Sequence, residues 1–324
     1  MTAEKSKTVF FLRNFLLVPV AFLLCTAGCS TFSTSSPAVF TPSLTFRYNH
    51  DISINYEKHG NGPKSIVILH GFGSSLRNWD DLLAALSKRG VPGGKYTIYL
   101  LDMKGAGFSS KPRDGHYSIR DFADILASFL KRQHISEPVI IGHSLGGGIA
   151  LYATVEYLKG TDSYPSRLIL VDTACYPADY PFFISFLRVP LLNIAIFKLL
   201  PDRYRATRTL NRIFVDKSAI TPEIVDRYVY CHKMDNYPYA LIQTAQQIMP
   251  DNVDALTAGY GKIKCPVDII WGEKDNILPL ELAFRLHKDI PDSQLTPLHG
   301  CGHDIPEECP EILAELISGS LSGK

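Results

Sequence analysis

The sequence predicts an α/β fold with a mostly parallel, eight-stranded sheet, helices on both faces and an inserted helical cap. Short apolar, β-branched segments alternate with amphipathic segments along most of the chain. The first two apolar segments follow one another directly, which indicates an antiparallel start, and the alternation after them indicates parallel strands covered on both faces. Residues 173–264 show helical periods and several prolines but no strand pattern, so we interpret them as an insertion between two strands.

Eight segments are predicted as strands and five as helices. The strands are Leu44–Tyr48, Ile52–Lys58, Ser65–His70, Tyr96–Asp102, Pro138–Gly142, Arg167–Asp172, Pro266–Gly272 and Gln294–Pro297. The helices are Leu76–Arg89, Ile119–Gln133, Leu145–Leu158, Leu280–Lys288 and Pro310–Ile317. Ligands of such sheets bind outside the carboxyl ends of the strands, and an insertion at that edge would form a roof over the site.

Composition excludes several classes of protein. The 324 residues are 46% hydrophobic, which is too apolar for a disordered chain. The 33 basic residues against 32 acidic ones give no charge pattern typical of a nucleic-acid binder. We therefore expect a globular protein with a sizeable core and no nucleic-acid partner.

The first residues have the features of an export signal. Residues 1–28 begin with three basic residues and one acidic residue, and an uncharged apolar run from Phe15 to Leu24 follows. That run is shorter than the roughly 20 residues that a comfortable membrane-spanning helix needs.

Small residues stand directly before a cysteine at the end of this leader. Ala27-Gly28-Cys29 resembles a bacterial lipobox, although Thr26 stands where Leu is usual and Ser30 follows the cysteine. The resemblance implies cleavage before Cys29 and lipidation of Cys29, and in Gram-negative lipoproteins it suggests the outer membrane. The alternative is an uncleaved signal anchor. We favour an exported, membrane-anchored lipoprotein at the bacterial outer membrane or periplasmic face.

Residues after the leader are uncharged and rich in Ser and Thr, which is typical of a tether. The predicted organisation is a signal peptide at 1–28, a tether at 29–43, a first core part at 44–174, a helical cap at 175–262 and a second core part at 263–324.

Five cysteines follow the predicted lipidation site, namely Cys175, Cys231, Cys265, Cys301 and Cys309. None has the spacing of a metal site, so no metal is expected. Cys301 with Cys309, or Cys175 with Cys231, would be disulfide pairs in an oxidising compartment, but we favour buried free thiols.

A serine lies at the carboxyl end of the predicted strand Pro138–Gly142. Gly142-His143-Ser144-Leu145-Gly146 joins this strand to a helix, and such a tight turn pushes the serine out of the edge of the sheet. His70-Gly71-Phe72-Gly73 ends an earlier strand. We expect the backbone N–H groups of Phe72 and Leu145 to form an oxyanion hole. The alternative is two glycine-rich turns without functional geometry.

A serine nucleophile needs a base, and the base needs an orienting acid. His303 follows the last strand and reaches the same sheet edge as Ser144; His299 is its nearest rival, His143 should point away and His70 should be structural. Asp275 leads as the acid after the strand Pro266–Gly272. Glu273 and Asp172 are its competitors.

From about Ile52 to Leu316 the chain resembles an α/β-hydrolase with a helical cap. The matching stretches are His70–Gly73, Asp102–Ser109, Gly142–Gly146, Trp271–Asp275 and Gly302-His303 with Glu307 and Pro310. By that match Ser144 is the nucleophile, His303 the base and Asp275 the acid, and Asp102–Ser109 shapes a structural loop.

The same resemblance separates the chain from some relatives. Haloalkane dehalogenases and epoxide hydrolases of this fold carry Asp where Ser144 stands. Carbon–carbon bond hydrolases of this fold commonly carry Trp directly after the catalytic histidine, and here Asp304 follows it. We therefore expect a serine hydrolase of apolar carboxylic esters that needs no cofactor and acts on a small-molecule or lipid ester. The alternatives are a carbon–carbon bond hydrolase and a non-catalytic binding lipoprotein.

The predicted cap contains the most apolar part of the chain after the leader. Pro181–Leu187 and Val189–Phe197 are interrupted or ended by Arg188, Pro190 and Lys198, which argues against a membrane span. These helices form an acyl-binding wall, touch lipid, or pack within the protein. We favour packing, because apolar stripes at helical spacing are usually core.

Overall fold

The computed structural model describes residues 43–91, 93–177, 182–190 and 192–322. All of them belong to one unit, Ala38–Lys324. The predicted signal peptide, Cys29 and the predicted tether up to residue 42 lie outside the described residues. Within the described ranges, no helix combines the length and apolar character that a bilayer crossing requires.

A single sheet of eight strands organises the described chain. The strands are β1 Leu44–Arg47, β2 Ser53–His59, β3 Lys64–Leu69, β4 Tyr96–Leu101, β5 Val139–His143, β6 Arg167–Val171, β7 Val267–Gly272 and β8 Ser293–Leu298. Their order in space is β1-β2-β4-β3-β5-β6-β7-β8. The β1–β2 and β2–β4 pairs are antiparallel and the other neighbours are parallel, which confirms the predicted sheet.

The helices of the core lie between its strands or follow the last strand, β8. They are α1 Asp80–Lys88, α2 Ile119–Arg132, α3 Leu145–Tyr152, α10 Glu281–Asp289, α11 Ile305–Glu308 and α12 Pro310–Ser322. Between β6 and β7 the chain forms α4 Phe182–Leu187, α5 Leu192–Leu199, α6 Asp202–Ile213, α7 Pro222–His232, α8 Tyr237–Gln247 and α9 Val253–Gly259. The inserted helical cap of the predicted fold class is thus present.

Alternate residues of the central strands pack on opposite faces of the sheet. Ile66 and Ile68 belong to the same apolar cluster as Leu82 of α1 and Leu313 of α12. Val67 belongs to the cluster on the other face, with residues of α2, α3 and α10. Because both faces are covered, the polar ends of the parallel strands, rather than the faces, are left to form a site.

Two helix predictions differ from the structure. The segment predicted as Leu76–Arg89 begins with a 3₁₀ turn, Leu76–Trp79. Ser75 caps the N-terminus of this turn, and its side chain accepts a hydrogen bond from the Arg77 amide. The segment predicted as Leu145–Leu158 changes after Tyr152 to a π-helical turn, Ala153–Tyr157. Local hydrophobic period does not distinguish these tighter and wider turns from an α-helix.

Candidate active site

Ser144 occupies a sharp turn between β5 and α3. Its φ of 52° lies in the left-handed region, which is uncommon for a residue with a side chain. Gly142 and Gly146 make the turn possible: a Cβ on Gly142 would lie 2.6 Å from the carbonyl oxygen of Gly146, and one on Gly146 would collide with the Leu69 carbonyl. The turn therefore presents the Ser144 hydroxyl at the carboxyl edge of the sheet, at the N-terminus of α3, where a developing negative charge is favoured.

The structure brings the side chains of Ser144, His303 and Asp275 into one hydrogen-bonded row. His303 Nε2 lies 3.1 Å from Ser144 Oγ, and His303 Nδ1 lies 2.7 Å from Asp275 Oδ2. All three residues are buried. They come from the ends of β5, β7 and β8, so the sheet edge positions each of them independently.

Backbone amides fix the orientation of the Asp275 carboxylate. Its Oδ1 accepts hydrogen bonds from the N–H groups of Ile277, at 2.7 Å, and Leu278, at 2.9 Å. The other oxygen is thereby aimed at His303. These bonds hold the ring of His303 with Nε2 toward the serine.

Asp172, the competing acid, is fully buried at the end of β6 but has no hydrogen bond to His303. Its Oδ1 accepts from the Gly272 amide at 2.8 Å, and its Oδ2 has no hydrogen-bond partner within the described residues. Burial first, and then the charge of Asp275, raise the pKa of Asp172 well above its usual range. The neutral acid is therefore the favoured form of Asp172.

The other rivals from the sequence have different partners. His299 is exposed and its Nδ1 lies 2.8 Å from Glu273 Oε2, so these two side chains pair with each other. His70 is buried and lies between backbone groups, with Nε2 accepting from the Met103 amide at 3.0 Å. Asp102 accepts hydrogen bonds from the amides of Leu76 and Phe108, in line with its predicted structural role.

The two predicted oxyanion donors line the same cavity as Ser144 and His303. Within the described part of the chain, the amides of Phe72 and Leu145 donate no hydrogen bond. Leu145 is the first residue of α3, where a helix leaves its N–H groups without partners. Both amides are thus available to an oxygen atom bound beside Ser144.

His143 contacts the backbone of His303. Its Nε2 lies 2.7 Å from the backbone carbonyl oxygen of His303, and an N–H at this position must donate, because a carbonyl oxygen only accepts. Its ring lies 5.1 Å from that of His303 and 6.3 Å from that of Trp79. Burial, followed by the neighbouring His303, lowers the pKa of His143 to about 4, so the ring is neutral at pH 7. The sequence suggested only that His143 points away from Ser144.

A disulfide joins Cys301 to Cys309, which corrects the expectation that both are free thiols. The bond is favoured because the loop after β8 turns directly into α11 and brings the two cysteines together. Cys175, Cys231 and Cys265 are buried free thiols, as expected. His303 and Asp304 lie inside the closed loop, so the disulfide restricts the segment that carries His303.

Loss of this disulfide is expected to destabilise the fold. The two cysteines are 8 positions apart, and closing a loop of this length contributes about 2–3 kcal/mol in the chain-entropy treatment. The Cys301→Ala/Cys309→Ala variant should therefore lose that much free energy of unfolding. Urea unfolding with and without reductant measures it. Reductant should lower the wild-type stability and leave the variant unchanged. Equal stability of both proteins under both conditions would contradict the prediction.

A polar cluster beneath the cavity joins cap and core. Tyr228 of α7 donates to Asp304 Oδ2 at 2.9 Å, while Asn78 donates to Tyr228 and to Glu307. Arg227 pairs with Glu307 at 2.9 Å and with Asp81 at 2.7 Å. The sequence alone does not reveal this cluster, because its members are separated by as many as 229 positions and carry no local signal.

The cavity above Ser144 has a volume of about 720 Å³, which is within the range of small-molecule sites. Most of its wall is apolar, and the cap supplies Ile184, Phe186, Leu187, Ile196 and Phe197. Ile184 and Leu187 are buried, but Val189, Ile194 and Leu199 are exposed by 47%, 48% and 76%. Internal packing therefore explains only part of the apolar cap sequence.

Comparisons with known proteins agree with this architecture. A sequence profile described as alpha/beta hydrolase fold matches residues 64–310. The chain belongs to the α/β hydrolase fold family.

Among the relatives of this α/β hydrolase, the uncharacterized hydrolase YugF of Bacillus subtilis (strain 168) is 29% identical over 268 residues, which cover 82% of this chain and 93% of the relative. A 2-hydroxy-6-oxononadienedioate/2-hydroxy-6-oxononatrienedioate hydrolase of Pseudomonas putida is 27% identical and covers 82% and 91%. The structure of a thermophilic esterase from Thermogutta terrifontis superposes with a TM-score of 0.68 at 23% identity, over 88% of this chain and 99% of that one. That last likeness shows the fold alone.

Proposed function

We propose that this α/β hydrolase is a serine esterase or lipase that cleaves apolar carboxylic esters through an acyl-enzyme. The single observation that carries the proposal is the row of Ser144, His303 and Asp275 at the floor of an apolar cavity, with distances of 3.1 and 2.7 Å between successive side chains. Both distances are within reach for proton transfer and for orientation of the base.

Each group has a role in the proposed two-step reaction. His303 Nε2 accepts the proton of Ser144 as Oγ attacks the ester carbonyl, and the imidazolium that forms is stabilised by Asp275. The amides of Phe72 and Leu145 bind the oxyanion, and each contributes about 3–4 kcal/mol to lowering the barrier. His303 then protonates the departing alcohol, and a water activated by His303 hydrolyses the acyl-enzyme.

A carbon–carbon bond hydrolase is the second candidate, because the Pseudomonas putida relative is named as a hydrolase of a 2-hydroxy-6-oxo-dienedioate. Carbon–carbon bond hydrolases of this fold commonly carry Trp directly after the catalytic histidine. In this chain Asp304 stands there instead, 1% exposed and accepting a hydrogen bond from Tyr228. A binding lipoprotein without turnover is the third candidate. The hydrogen-bonded row argues against it, since binding alone does not require that row.

The discriminating experiment measures hydrolysis of p-nitrophenyl esters from acetate to palmitate by the full chain, alongside cleavage of a 2-hydroxy-6-oxo-dienedioate. We expect ester turnover with a burst of p-nitrophenol, which reports accumulation of the acyl-enzyme. Cleavage of the dienedioate without ester turnover would favour the second candidate. Inertness toward both substrates would favour the third.

His143 should matter for the rate and little for binding. His143→Phe keeps an aromatic ring but removes the donor to the His303 carbonyl, so we expect about a tenfold lower kcat with a nearly unchanged KM, in line with the 1–3 kcal/mol cost of an unpaired buried acceptor. His143→Gln retains a donor and should recover part of kcat. A kcat within twofold of wild type for His143→Phe would contradict this positioning role.

We further propose that the protein is exported and held at a bacterial membrane through a lipid on Cys29. Support comes from the basic leader, the short apolar run and the lipobox-like Ala27-Gly28-Cys29. Fractionation of expressing cells tests this, with Cys25→Ala as a matched control within the leader. Cys29→Ala should move the protein to the soluble fraction. Its retention on membranes would favour an uncleaved signal anchor.

A further inference from the structure

One face of α6 carries arginines along the wall of the cavity. Arg205, Arg208, Thr209 and Arg212 all line it, and their spacing of three, four and seven positions places them on one side of a helix. Arg203 of the same helix does not line the cavity and pairs with Asp226. Three guanidinium groups thus border a cavity whose wall is otherwise mostly apolar.

Arg205 is occupied by structural contacts. Its guanidinium donates to the Leu200 carbonyl and to Asp202, and it stacks over the ring of Phe197 with 4.8 Å to the centroid. These contacts join the end of α5 to the start of α6. Arg205 therefore shapes the wall, and among the described residues only its buried Nε is left without a hydrogen-bond partner.

Arg208 and Arg212 are different, because both are exposed at the rim. Across the described ranges neither forms an ion pair or a side-chain hydrogen bond. The one acidic side chain among the described lining residues is Asp304, which is buried and bonded to Tyr228. Two positive charges are thus left uncompensated at this part of the cavity wall.

The same part of the rim exposes apolar side chains. Leu192, Leu200 and Tyr204 line the cavity and are exposed by 36%, 39% and 51%. An apolar cavity that opens beside two free guanidinium groups is complementary to an amphiphile with an apolar chain and an anionic group near the ester bond.

We propose that the substrate is an acyl ester that carries an anion, a phosphate or a carboxylate, which Arg208 and Arg212 bind at the rim while the acyl chain fills the apolar part. The ester bond in this statement rests on the proposed function. Guanidinium groups suit both anions because they offer paired N–H donors that match two oxygens of one group.

Three probes with the same acyl chain test the charge requirement: monodecanoyl glycerol, the decanoyl ester of glyceric acid, and monodecanoyl glycerol 3-phosphate. Binding is measured calorimetrically, below their micelle concentrations, on full-length Ser144→Ala, so no turnover is needed. We expect at least one charged probe to bind about tenfold or more tightly than the neutral one, which is the scale of a charge-assisted contact. A preference for the phosphate probe over the carboxylate probe would identify a phosphoester headgroup. Equal affinity for these two charged probes would indicate that the site accepts either small anion.

Arginine variants locate the preference. In the Ser144→Ala background, Arg208→Gln/Arg212→Gln should bring the ratio of the affinity for a charged probe to that for the neutral probe close to one. The matched control, Lys198→Gln/Arg203→Gln, removes the same charge from exposed cap positions outside the cavity wall and should keep the ratio. Equal binding of all three probes, or a preference that survives in Arg208→Gln/Arg212→Gln, would overturn the proposal.

Turnover of the same probes by wild type separates the two proposals. Hydrolysis of all three with the same kcat/KM would leave the esterase assignment standing and reject the charged substrate. A charge preference in binding without any hydrolysis would support the anion site and reject the esterase.

Discussion

Replacing Ser144 by alanine is expected to lower the turnover of p-nitrophenyl esters by about 10⁴–10⁶-fold, the scale seen when a catalytic serine is removed. The Ser144 hydroxyl lies 3.1 Å from His303 Nε2, and alanine leaves no atom there that could form an acyl-enzyme. The oxyanion donors remain, so a small residual rate over the uncatalysed reaction is expected. The burst of p-nitrophenol should disappear together with the turnover.

Ser163 provides a matched control. It is also buried, but its hydroxyl donates to the Ile135 carbonyl at 2.8 Å, and it does not line the cavity. Ser163→Ala should keep kcat/KM within about threefold of wild type, since a lost neutral hydrogen bond affects stability by roughly 1 kcal/mol. Retention of more than a hundredth of the activity by Ser144→Ala would reject Ser144 as the nucleophile.

The strands of the core could be predicted because a buried parallel strand corresponds to a short, continuous run of apolar residues in the sequence. Ser65–His70 was predicted and Lys64–Leu69 is observed; Pro138–Gly142 was predicted and Val139–His143 is observed. The ends differ by one residue, since hydrophobicity marks the buried centre of a strand and not its last hydrogen bond. The four-residue α11 carries too short a pattern to be predicted.

The position of Ser144 at the sheet edge could be predicted because its signal is local, a Gly-x-Ser-x-Gly turn after a strand. The carboxylate that contacts His303 could only be narrowed to three candidates, since Asp172, Glu273 and Asp275 all lie near strand ends. What distinguishes the three carboxylates is three-dimensional: Asp275 accepts from two amides, Glu273 pairs with His299, and Asp172 accepts from the Gly272 amide. The disulfide and the rim arginines likewise depend on contacts and exposure that a linear pattern does not contain.

The proposed role of Asp275 as the acid leads to the second large effect. Asp275→Asn should lower kcat by about 10⁴-fold, because an amide in place of the carboxylate favours the wrong tautomer of the base and no longer stabilises its charged form. Asp275 Oδ2 lies 2.7 Å from His303 Nδ1. The oxygen that accepts from Ile277 and Leu278 is retained in asparagine, so the fold should persist.

Asp172→Asn is the matched variant, with the same change in chemistry at a neighbouring strand end. Burial and the charge of Asp275 favour the protonated form of Asp172, and asparagine resembles that form in shape. Its φ of 41° is also tolerated by asparagine. We expect kcat within about tenfold of wild type. The reverse pattern, with Asp172→Asn inactive and Asp275→Asn active, would assign the acid to Asp172.

The pH dependence of stability gives Asp172 a readout of its own. In the unfolded chain an Asp ionises near pH 4, whereas the folded chain keeps the proton because the pKa of Asp172 is raised. Above that pH the folded state binds more protons than the unfolded state, so this group's contribution to stability falls as pH rises toward the folded pKa. Asparagine does not titrate, so urea unfolding should show Asp172→Asn gaining stability relative to wild type between pH 4 and pH 7. A difference in free energy of unfolding between variant and wild type that stays constant across this range would mean that the Asp172 carboxyl ionises in the folded protein as it does in the unfolded chain. That result would contradict the protonated form of Asp172 beside Asp275.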